Sequence, residues 1–180
     1  DALRAGRYPL RPFFTVRLPA LASVQATLPD WGPPALLFLL AACAGVAWGN
    51  RLGEALPGVL PRVAAVLLLL GSMLVFLQAG LWAFHEIWAG LLIAIGLALR
   101  RPGRWVESVA IGLAAMLVRE TAALYALLML VLALAERERR EALGWAVALA
   151  LFAAALAAHG WAVAGATGPL DSASPGWSGL

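Results

Sequence analysis

Apolar residues come in long blocks separated by short polar clusters. The runs 34–49, 63–83, 87–99, 105–118, 121–135 and 143–164 are nearly free of charge. Blocks of this length read as helices. Val63–Leu77 and Leu124–Ala135 offer no polar outer face, which a soluble bundle would require. Several runs are shorter than the ~20 residues of a simple membrane span. The pattern predicts an all-α fold, a polytopic transmembrane helical bundle of about six spans. It assigns residues 31–164 to the membrane region, with extracytoplasmic loops at 1–30 and 165–180.

Ionisable residues interrupt this pattern in three places. His85-Glu86 opens the run to Leu99, Arg119-Glu120 divides the stretch from Trp105 to Ala135, and His159 lies late in the last run. Charges within hydrocarbon are costly and are commonly tied to function. Glu86 precedes the polar boundary at Arg100 by fourteen residues, and Arg119 follows the boundary at Trp105 by fourteen. At ~1.5 Å per residue, both pairs lie about 21 Å from the same face. Similar counts put Gln78 and His159 at roughly 21–24 Å. A polar cavity open to one side of a bilayer is expected there.

The stretch 105–135 has two readings. As one helix it would be about 46 Å long, too long even when tilted. As two short spans hinged near Arg119-Glu120-Thr121, it keeps the arginine clusters on one side. Hinge backbone at that depth must be buried in protein or line a wet cavity. A single long tilted helix with a mid-membrane ion pair is the alternative.

Composition sharpens this picture. The chain is 63% hydrophobic, with mean hydropathy +0.87, well above an ordinary soluble domain. Its thirteen basic residues are all arginine, and its formal charge is +3. With the N-terminal segment outside, eight arginines fall inside, from Arg51 to Arg140, and five outside. That bias favours the orientation. Arginines in loops between spans set topology, so nucleic acid is excluded as a partner. Trp31, Trp82, Trp88 and Trp161 fall toward the outer interface, and Trp48, Trp105 and Trp145 toward the inner, as in aromatic belts. The single Cys43 cannot form an internal disulfide and reads as a packing residue. The first thirty residues lack the apolar region of a signal peptide. The absence of an initiator Met and the loop-like end suggest an internal piece of a longer polytopic protein.

Glu86 and Glu120 are the candidate catalytic residues. A carboxylate in a partly dry cavity suits general-base work. His85 and Arg119 could offset that charge or hold an anionic phosphate. Each glutamate could instead only cap a helix. Arg11 and Arg17, in an N-terminal stretch mixing arginine with aromatic and proline residues, are candidates for lipid phosphate, or belong to a tether. Glu107 reads as an interfacial partner of Arg104, and 136–141 as a solvated inner loop. The histidines and glutamates have no metal-ligand spacing, so no metal or other cofactor is expected. No phosphate-binding glycine loop or acyl-transfer motif is present.

RYPLRPFFTVRLPALASV, FHEIWAGLLIAIGLALR and GLAAMLVRETAALYALLMLVLALAERERREALGW together resemble bacterial cell-surface glycopolymer formation proteins. More broadly, the chain is similar to the GT-C superfamily. The resemblance implies a multi-pass glycosyltransferase of the bacterial inner membrane, using a polyprenyl-phosphate-linked sugar and a glycan or lipid acceptor, with membrane lipid around it. It puts Arg119 where that superfamily holds the lipid phosphate, and Glu86 where it often has an acidic group. The acidic residue of its first outer loop would lie upstream of Asp1. A transporter or flippase, and a scaffold of a glycan-assembly complex, are the other readings.

Overall fold

A computed structural model describes residues 17–74 and 81–168. Among these residues the chain is helical, with no strand. The helices are α1 (Ala20–Ala26), α2 (Gly32–Ala55), α3 (Val59–Leu74), α4 (His85–Leu99), α5 (Val106–Val118), α6 (Ala123–Ala135) and α7 (Arg139–Ala166). The apolar runs reappear as these elements, except that the run 63–83 includes the end of α3 and a 3-10 turn at Leu81–Ala83. The segment read as an outer loop at 1–30 contains α1, whose Leu21 is buried.

Among the described residues, two helices, α2 and α7, are long and apolar enough to cross a membrane. The other apolar helices are shorter. At ~1.5 Å per residue, α4, α5 and α6 are each about 20–22 Å long, less than the ~30 Å of hydrocarbon.

Connections set their arrangement. Between α4 and α5, the Arg104 N–H donates to the Arg101 carbonyl at 2.9 Å, closing a turn. Pro102 and Gly103 occupy its centre, and Gly103 has φ +74°, as a type II turn requires. The turn folds α4 and α5 into a hairpin. After α5 the backbone opens at Arg119 (φ −146°, ψ 119°), makes a 3-10 turn over Glu120–Ala122 and enters α6. Helix α6 then runs back, because Glu136 at its end meets Arg100 at the end of α4. The stretch 105–135 is therefore a hinged pair of antiparallel helices.

Helix α6 ends in a Schellman motif: Glu138 N–H donates to the Ala133 carbonyl at 2.8 Å, and Arg137 N–H to that of Leu134 at 3.1 Å. Arg137 occupies the left-handed region at φ 63°, normally a glycine position. No glycine marks this stop in the sequence.

Packing relies on small residues. One core joins Met116, Ala126, Met129, Trp145, Ala148 and Phe152 of α5, α6 and α7. The other joins Leu21, Leu37, Ala44, Trp88, Leu91 and Ile95 of α1, α2 and α4. Alanines and glycines at the interfaces let the helices approach closely, as membrane helices commonly do. Gly112 faces the indole of Trp145 and Gly144 faces that of Trp105. Trp88 and Trp145 are thus core residues rather than members of aromatic belts, whereas Trp31 and Trp161 are exposed. Cys43 points outward from α2 instead of packing inside. Large apolar side chains cover the outer surface, including Leu60, Leu68 and Leu124.

Candidate functional site

The hairpin of α4 and α5 brings Glu86, in the first turn of α4, beside Arg119, at the end of α5. Each lies fourteen residues from the connecting polar boundary, so the antiparallel helices return them to one level. Arg119 Nη2 lies 3.1 Å from Glu86 Oε1, and its Nη1 lies 3.8 Å from Glu120 Oε2. Arg119 leaves the helical path, so its side chain can face both carboxylates.

Arg17 joins the same group from the N-terminal side. Its Nη2 lies 3.5 Å from Glu86 Oε1, the oxygen that Arg119 also contacts. Nearby, the Leu18 N–H donates to Glu120 Oε1 at 3.2 Å. Leu18 and Leu21 are buried in the two cores, which anchors this segment against the hinge. The use of a backbone N–H by Glu120 had no sequence signal.

Five of the six candidate residues therefore gather at one end of the bundle: His85, Glu86, Arg119, Glu120 and Arg17. Arg11 lies outside the described residues, as does Gln78. His159 is half-buried on α7. Glu120 binds the N-terminal segment through its carboxylate, which goes beyond a capping role. Glu86 retains the first-turn position that favours negative charge at a helix N-terminus.

The cluster is neither dry nor fully open. The side chains of Arg119 and Glu120 are 26% and 28% exposed, and those of Arg17 and Glu86 are 44% and 46%. Arg119 Nε and His85 Nδ1 are withdrawn from solvent without a hydrogen-bond partner among the described residues. Two guanidinium groups thus share one carboxylate oxygen. An incoming phosphate could compete for both, offering charge-assisted and bidentate contacts. Glu86 would then be released as a proton acceptor.

The opposite end carries a second ionic assembly. Arg100 Nε donates to Glu141 Oε1 at 2.7 Å, and Trp145 Nε1–H to the same oxygen at 3.2 Å. Arg100 also pairs with Glu136, and Arg101 with Glu54 at 2.8 Å. Arg104 lies 3.5 Å from Glu107. Glu141 is almost wholly buried, contrary to the reading of 136–141 as a solvated loop. Its distance of four residues from Trp145 is the local signal for that contact. The Arg100 guanidinium is held above its ordinary pKa range, first by its hydrogen bond to Glu141 and then by that to Glu136. Among the described residues, no group of three or more histidines, cysteines and carboxylates is placed to hold a metal ion.

Comparison with protein families, curated proteins and solved structures returned no match.

Proposed function

We propose that the chain is a segment of a multi-pass glycosyltransferase of the bacterial inner membrane. It transfers sugar from a polyprenyl-phosphate donor to a cell-surface glycan or lipid acceptor. The convergence of Arg17 and Arg119 on Glu86 at a helix break carries this reading. A lipid-phosphate donor supplies its own leaving group, so the protein must place a base and stabilise departing phosphate charge.

In this mechanism Arg119 and Arg17 hold the phosphate oxygens, loosening Glu86. Glu86 accepts the acceptor's hydroxyl proton as that oxygen bonds to the sugar carbon. The bond from that carbon to the phosphate oxygen breaks, and its electron pair remains on the phosphate. Glu120 positions Arg119 and the N-terminal segment, and His85 borders the phosphate.

Membrane insertion is supported by the length and apolar character of α2 and α7 and by the exposed apolar surface. The shorter helices complete the six-span arrangement, with the Arg119 hinge below the outer surface. This depth lets the lipid tail remain in the bilayer while the sugar meets its acceptor in water.

The test uses the natural protein containing this chain, in membranes at matched expression. Transfer of labelled sugar from polyprenyl-phosphate donors is compared with that of Glu86→Gln and Arg119→Ala. Loss of a general base is expected to reduce turnover at least ~100-fold in Glu86→Gln. Arg119→Ala is expected to weaken donor binding. Unchanged transfer by both folded, inserted variants ends the enzyme reading. Loss of lipid-linked sugar translocation, with no transfer by the wild type, replaces it with transport.

A further inference from the structure

A cavity of about 460 Å³ lies at the end of the bundle opposite the Glu86–Arg119 cluster, within the ~300–1,000 Å³ common for small-molecule sites. Arg51 and Arg101 reach it from α2 and the turn after α4, while Glu136 and Glu138 reach it from the turn between α6 and α7. Arg100 and Glu141 line it as well, and four of these six charges already have partners. Arg100 holds Glu136 and Glu141, and Arg101 gives Nη2 to Glu54.

The remaining polar capacity has both signs. Arg101 Nη1 is withdrawn from solvent and has no acceptor among the described residues. A buried guanidinium donor without an acceptor is costly. Arg51 and Glu138 make no ion pair among the described residues, and both line the cavity. A simple anion would satisfy Arg51 and Arg101 but meet repulsion from Glu138. A simple cation would meet the reverse.

We propose that this cavity binds the headgroup of a zwitterionic phospholipid bearing a phosphodiester and a primary ammonium. Arg51 holds the phosphate, Arg101 turns its shielded Nη1 toward it, and Glu138 accepts a hydrogen bond from the ammonium. Leu132, which also lines the cavity, is exposed on α6, as is Leu128 one turn earlier. They continue the site into an apolar surface for acyl chains. This second site is independent of the glycosyltransferase reading.

Native mass spectrometry of the full natural protein in neutral detergent tests the proposal without an activity assay. Phosphatidylethanolamine, phosphatidylcholine and phosphatidylglycerol with identical acyl chains are titrated separately. Phosphatidylethanolamine should bind about tenfold tighter than either, because only it offers both phosphate and an ammonium with N–H donors. Glu138→Gln should abolish its advantage over phosphatidylcholine. Arg51→Ala should weaken all three lipids by a similar factor. Neither substituted side chain is in an ion pair among the described residues, and the wild-type lipid ranking gives a readout independent of either variant's folding. Equal or tighter phosphatidylglycerol binding overturns the zwitterion assignment. Displacement of lipid by free phosphoethanolamine at equal concentration overturns the lipid assignment in favour of a soluble ligand.

Discussion

Glu141 is a carboxylate kept from water by Arg100, Trp145 and the surrounding helices. Removing one member of a buried ion pair leaves the other uncompensated, typically costing ~3–5 kcal/mol. Because Arg100 is partly exposed, Arg100→Ala should destabilise the fold by about 3 kcal/mol, near the lower limit. Glu141→Gln retains acceptor capacity and should cost about 1 kcal/mol. Thermal unfolding in one detergent, followed by circular dichroism, checks that order; equal stability of Arg100→Ala and wild type refutes it. At the other end, the sequence contained the spacing that brings Glu86 and Arg119 together. It contained no signal that Arg17 and Arg119 would share one Glu86 oxygen, because that depends on where buried Leu18 and Leu21 direct the preceding chain.

Close approach between helices depends on individual glycines. A Cβ built at Gly112 would lie 2.5 Å from a ring carbon of Trp145, and that indole is fully buried. Gly112→Ala should therefore destabilise by about 1–3 kcal/mol through overpacking of α5 against α7. A Cβ at Gly49 in α2 meets no atom within 4 Å. Gly49→Ala should stabilise by about 0.5–1 kcal/mol through reduced backbone freedom in the unfolded chain. Paired unfolding curves check both signs. The α6 stop offers another comparison, since Arg137 has left-handed backbone. Arg137→Gly should stabilise by up to about 1 kcal/mol, whereas a β-branched Val should destabilise; the midpoints of detergent unfolding discriminate them. Runs of apolar residues marked α5 and α6, but the Schellman stop followed from local hydrogen bonds rather than a glycine signal.

The bundle places the α4–α5 and α6–α7 turns at one end, joined by the Arg100–Glu136 pair. Trp31 precedes α2, while Glu54 near the end of that helix pairs with Arg101 at the turn end. In a membrane, Arg104→Cys and Arg140→Cys should face the same side, and Trp31→Cys the other. A membrane-impermeant maleimide, applied to oriented vesicles after replacing Cys43 with Ala, measures this directly. Labelling of Arg104→Cys and Arg140→Cys from opposite sides rules out the hinged arrangement in the bilayer. The long α2 and α7 have the length needed to cross, whereas α4, α5 and α6 are shorter than the ~30 Å of hydrocarbon.

Helix class and approximate boundaries were determined by the sequence, because long apolar runs bounded by arginine, glycine and proline have few local alternatives. The common level of Glu86 and Arg119 was also present there, as equal counts from one turn. Tertiary structure decided which tryptophans form the core, how Arg17 joins the cluster and why Glu141 is buried. Those outcomes depend on chain return and helix rotation. Such pairings join residues distant in sequence, as Arg17 with Glu86 and Arg100 with Glu141 show, and a linear hydropathy pattern carries no term for them.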